Sequence, residues 1–105
     1  LNLFIHFNPF DMRNYLGDAA RALKPGGCFY FDACSFGSAT AHILEAQAAQ
    51  YRKAPAQLRG LMSFVEPATV AALVARSGLE LAWLRNHGGW LKVLVRRPAN
   101  EPRAA

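Results

Sequence analysis

Arg21-Ala22-Leu23-Lys24-Pro25-Gly26-Gly27-Cys28-Phe29-Tyr30-Phe31-Asp32-Ala33-Cys34 carries a helix end, a turn and a strand in one run, and the fold class follows from it. Pro25 fixes φ for the first central position of a turn, and Gly26 can take positive φ at the second. Cys28 to Cys34 is short, aromatic and mostly apolar, the pattern of a strand covered on both faces in a parallel sheet. Upstream, Met12, Tyr15, Leu16, Ala19, Ala20 and Leu23 recur at three- and four-residue spacing, with Arg13, Asn14, Asp18 and Arg21 largely opposite them. Asn8-Pro9-Phe10-Asp11 supplies the start of that helix, since Asn accepts orphan first-turn amides and Pro suits the first helical position. Gly17 in its interior costs about 1 kcal/mol relative to Ala. Before it, Asn2-Leu3-Phe4-Ile5-His6-Phe7 is strand-like, so strand, helix, turn and strand make a βαβ unit.

Working outward, Ser35 to Thr40 is a small, polar loop at the carboxyl end of the aromatic strand, where open α/β sheets bind ligands. Ala41 to Lys53 predicts an alanine-rich helix with Ile43, Leu44, Ala48 and Tyr51 near one side, serving as a lid or as packing. Pro55 to Ser63 is a connector. Glu66-Pro67 opens a third helix with an apolar stripe of Val70, Leu73 and Val74, and Ser77-Gly78 closes it. Leu79 to Leu84 and Trp90 to Val95 predict an antiparallel hairpin separated by Arg85 to Gly89.

A chain of 105 residues, 52% hydrophobic and 18% charged, buries one modest core and is too apolar for intrinsic disorder. The net charge of +5 is spread along the chain rather than gathered on one helix face, and no stacking motif accompanies it, so nucleic acid is the least favoured partner. Arg96, Arg97 and Arg103 cluster near a tail, residues 98–105, that reads as a solvated, flexible end to a unit of residues 1–97. Cys28 and Cys34 have no second pair and no suitably spaced His, so no metal is expected and reduced thiols are the default. No segment approaches the roughly 20 apolar residues of a membrane span, which makes a cytoplasmic protein the simplest expectation. The chain opens directly on a strand-like run with no initiator Met, as though cut from a longer one.

The ordered set of strand, helix ending Leu23-Lys24-Pro25-Gly26-Gly27, aromatic strand, helix ending Ser77-Gly78-Leu79 and final hairpin resembles the C-terminal half of a class I S-adenosylmethionine-dependent methyltransferase. Leu3-Phe4-Ile5-His6-Phe7 and Tyr15-Leu16 support the resemblance, which covers nearly the whole chain. It implies an α/β fold, the second half of a Rossmann-like sheet with strands in the order 4-5-7-6, the last antiparallel, and flanking helices. It also implies that the N-terminal half, with its Gly-rich turn and ribose-holding acidic residue, lies outside this chain. In that family the end of the fourth strand lies beside the methionine portion of S-adenosyl-L-methionine, which carries cofactor contacts over to Asn2, Leu3 and Phe4. Members often have Ser where this chain has Asn2.

His6 and Asn8 would then sit at the rim facing substrate. His6 is the candidate general base, because an imidazole near neutral pKa suits proton removal from an oxygen or nitrogen acceptor. The plainer alternative is a hydrogen-bonded structural histidine between Ile5 and Phe7, since a sulfonium donor is already activated and positioning dominates. Asp32 either faces the substrate pocket or ends its strand by bonding nearby amides, and Ser35 begins the loop beyond it. Tyr30, Phe31 and Phe36 read as core aromatics before pocket walls. Cys34, beside the loop, could be exposed and oxidisable, with nothing nearby to mark it as a nucleophile. His42 and His87 read as surface or loop residues.

Two functions of different class remain. The first is methyl transfer to an oxygen or nitrogen of a small molecule by the full-length enzyme, with this piece inactive alone. The second is a non-catalytic module that pairs its open strand edge with a partner chain. The acceptor resides in loops such as Ser35 to Arg59 and is not legible from fold.

Overall fold

The structure is a computed structural model that describes residues 7–53 and 62–99. Helix α1, Pro9–Ala22, leads to strand β1, Cys28–Cys34; helices α2, Ala41–Lys53, and α3, Pro67–Arg76, precede strands β2, Glu80–His87, and β3, Trp90–Arg96. The three strands form one sheet in the order β1-β3-β2, with both pairings antiparallel. β3 therefore lies between β1 and its own hairpin partner. The strand expected before α1 falls outside the described residues except for Phe7, and the parallel pairing it would give falls outside with it.

Local chemistry sets the ends of each element. Asn8 Oδ1 accepts from the Asp11 amide at 2.8 Å, and the Asn8 carbonyl accepts from Met12 at 3.0 Å, so the first turn of α1 is capped as its sequence predicts. Gly26 takes φ +80°, and the Gly27 amide returns to the Lys24 carbonyl at 2.8 Å, which makes Lys24–Gly27 a type II turn. At the end of α3, Gly78 takes φ +78°, its amide donates to Ala75 and that of Leu79 to Val74, both orphan-carbonyl bonds of a Schellman end. The hairpin turn is tighter than expected. Arg85, Asn86 and His87 belong to β2 and pair with Lys92, Leu91 and Trp90, leaving only Gly88-Gly89 at φ +64° and +110°. Two consecutive positive φ values match the twist of the flanking strands, and glycine adopts them without strain.

The core lies on one face of the sheet. Phe31, Ala33, Leu91, Val93 and Val95 point to Met12 and Leu16 of α1 and to Val70 and Val74 of α3. The pleat sends Cys28, Tyr30 and Asp32 the other way, and among the described residues no helix covers them. A strand buried on both faces is thus corrected to one buried on a single face, because α1 and α3 both pack against the same side. The open face is partly self-covered: the Tyr30 and Trp83 rings lie 6.1 Å apart, and the Arg85 guanidinium stacks 4.7 Å over Trp83.

α2 has no buried residue; Ile43 and Leu44 are half-buried, while Ala48 and Tyr51 are exposed. Beyond it, Gln47 Oε1 accepts from the Met62 amide at 2.8 Å. Phe64 makes a parallel bridge to Cys34, and the Val65 amide donates to the Cys34 carbonyl at 2.8 Å. The stretch before α3 therefore meets the end of β1 instead of passing it by. Among the described residues no helix is long and apolar enough to cross a membrane.

Candidate functional site

The carboxyl end of β1 is closed by a clasp between the Ser35–Thr40 loop and the hairpin turn. The Ser35 amide donates to the Gly89 carbonyl at 2.6 Å, and the Ala39 amide to the Gly88 carbonyl at 2.7 Å. Thr40 is fully buried, and its Oγ1 donates to the Ser35 carbonyl at 2.5 Å while accepting from the Gly37 amide at 2.9 Å. A side chain on Gly37 would collide with the Gly88 backbone, and one on Gly89 with Thr40 Oγ1. Three glycines thus let two backbones approach to a distance that any Cβ would forbid.

Each expected substrate-pocket residue within the described segments has a definite place. Asn8 is exposed, with its side-chain oxygen engaged by the first turn of α1. Asp32 stands on the open face opposite Lys92, and its Oδ1 accepts from the Tyr30 hydroxyl at 2.7 Å. That hydrogen bond raises the Tyr30 phenol above its ordinary value, with lesser help from burial and from the Asp32 charge. Ser35 is buried within the clasp. The clefts between α1 and α3, between α1 and β1, and beside α2 are lined by none of the three. Asn2, Leu3, Phe4 and His6 lie outside the described residues.

Other residues depart from expectation. Cys34 is fully buried, and desolvation pushes its thiol pKa up, so the exposed thiol is Cys28 instead. Phe31 is core, whereas Phe36 and Tyr30 are exposed. Among the described residues no three His, Cys, Asp or Glu side chains converge as a metal site would require. Thr40 and its glycine partners carry no signal in the sequence that joins them, because the loop and the turn lie in different halves of the chain and meet only after folding.

No family model matches the chain, and no curated protein sequence does. Among solved structures, a SAM-dependent methyltransferase from Methanosarcina mazei superposes on 93% of this chain with a TM-score of 0.55 at 13% identity. The fold is methyltransferase-like. The chain spans 56% of that structure's length, a little over half.

On this methyltransferase-like sheet, the clasp occupies the strand end where open α/β sheets hold ligands. The S-adenosylmethionine implied by the resemblance would need amides or carboxylates directed into a cleft there. The amides of Ser35, Gly37, Ala39 and Thr40 are all spent inside the clasp or its turn. The described residues therefore do not form that grip.

Proposed function

We propose that the chain is the second half of an S-adenosylmethionine-dependent methyltransferase domain, and that the whole domain passes a methyl group to an oxygen or nitrogen of a small molecule. The likeness in fold over 93% of the chain carries this reading. The type II turn into β1 and the final antiparallel hairpin support it, since both are local features that carry the resemblance. The donor, when bound, supplies an activated sulfonium methyl, so the protein's task is chiefly to align an acceptor at about 3 Å.

Contact with the donor is assigned to Asn2, Leu3 and Phe4 together with the half outside this chain. The acceptor pocket is assigned to His6, Asn8, Asp32 and Ser35, with His6 as its general base. Within the described residues, Asn8 fixes where α1 starts, and the clasp holds Ser35 in place at the strand end. A cytoplasmic setting goes with this reading, in keeping with two unpaired thiols. On this reading the donor grip needs the other half of the domain, and the chain alone would be inactive.

Calorimetric titration of S-adenosylhomocysteine into this chain and into one extended upstream in its reading frame tests the proposal. Binding is expected for the extended chain only. Two well-folded proteins that both fail to bind would overturn the enzyme reading and favour a non-catalytic module.

A further inference from the structure

At the opposite end of the strands from the clasp, a cleft of about 440 Å³ opens between α1 and the end of α3. Arg13, Gly17 and Arg21 of α1 line it with Gly78 after α3 and Arg97 and Pro98 after β3, and none of its lining residues is acidic. On α1 a locally unfavourable choice stands here: Gly17 costs about 1 kcal/mol in a helix interior, and Arg13 and Arg21 flank it one turn to either side.

A side-chain carbon built on Gly17 would lie 2.9 Å from Arg13 Nη1 and 3.8 Å from Arg21 Nη1. Two guanidinium groups therefore lie over Gly17 from opposite sides. From a third side, Arg97 is steered by the bond its Nη1 donates to the Leu23 carbonyl at the end of α1. Asp18, outside the cleft lining, pairs with Arg21 on the exposed side of α1, a pair solvent screens and a bound anion can compete with.

We propose that this cleft binds a phosphate-bearing small molecule. Guanidinium groups present planar, paired donors that match phosphate oxygens, and they keep their charge at any physiological pH. The volume exceeds what a phosphate group needs and lies in the range of small-ligand sites, leaving Ala20 and Pro98 to meet an organic body. The site stands apart from the methyltransferase reading, on different residues at the other end of the strands.

Inorganic pyrophosphate is the probe, titrated at low ionic strength into the 105-residue chain and followed by amide chemical shifts and calorimetry. Saturable shifts are expected at Arg13, Gly17 and Gly78. Arg13→Gln should weaken binding at least about tenfold, the loss of one charge-assisted contact. Gly17→Leu, which puts a side chain between the two guanidinium groups without changing charge, should weaken it similarly, and Arg52→Gln on α2 should leave it unchanged. Circular dichroism checks folding, and Arg13→Gln, at an exposed position, keeps the test open if Gly17→Leu unfolds. Absence of saturable binding would overturn the proposal. So would an equal loss in Arg52→Gln, or tighter binding of an oligonucleotide with the same loss, because either means diffuse attraction to a basic chain.

Discussion

The two faces of the β1-β3-β2 sheet are built from the same strands and differ in what covers them. On one, Phe31 and Val93 face each other across β1 and β3 with no exposure, sealed by α1 and α3. On the other, Tyr30 pairs with Leu94 and Asp32 with Lys92, and Tyr30 is 38% exposed. Adjacent residues of one strand thus live in opposite environments, so a substitution's cost depends on its parity along the strand more than on its size.

The largest expected effect comes from breaking the covered face. Phe31→Ala should cost about 3–5 kcal/mol, a large share of the stability of any domain this size, whereas the neighbouring Tyr30→Ala should cost about 1 kcal/mol or less. Urea midpoints of the two variants test the contrast, and equal losses would erase the distinction between the faces. Next comes the edge where the faces meet. Gly89→Ala forces a side chain into positive φ and against Thr40 Oγ1, at a cost of about 1–3 kcal/mol from backbone strain alone. Thr40→Val, which strands the Ser35 carbonyl and Gly37 amide, should lose about 1–3 kcal/mol in the same assay.

A pH series sharpens the comparison through the two thiols of β1. Burial holds the Cys34 pKa above its ordinary value in the folded state, so the unfolded chain releases that proton first as pH rises. The stability this confers is complete below the ordinary thiol range and is lost as pH climbs through it toward the folded value. Cys34→Ala should flatten that alkaline decline, and an unchanged slope would rule out the buried thiol as its source. Alkylation at neutral pH should modify exposed Cys28 well before Cys34. The smallest effect belongs to Lys92→Gln on the open face, expected within about 0.5 kcal/mol by thermal unfolding.

What the sequence made legible was whatever is settled within a few residues. Asn8 before Pro9, Pro25-Gly26 and Ser77-Gly78 each determine a local geometry through φ limits and orphan amides, and each appears where read. The alternation that buries Phe31 was also present, but an aromatic run such as Phe29-Tyr30-Phe31 does not say whether one face or two will be covered. That depends on which side α1 and α3 take, a tertiary outcome. The overlong hairpin loop has a similar cause: Arg85, Asn86 and His87 are poor strand formers, held in β2 by pairing with β3. Of the site, Asn8, Asp32 and Ser35 were named as polar groups near strand and helix ends. The capping role of Asn8 is local and legible, whereas the Ser35 amide finds the Gly89 carbonyl only through the fold.

The clasp also constrains how this protein can change over generations. Hairpin turns ordinarily absorb extra residues readily, yet here Gly88 and Gly89 are wedged against Gly37 and Thr40. A single inserted residue would spring the Ser35–Thr40 loop that follows the neighbouring strand, so length drift, epitope insertion and circular permutation are all disfavoured at a place that looks, on the surface, like the easiest to cut.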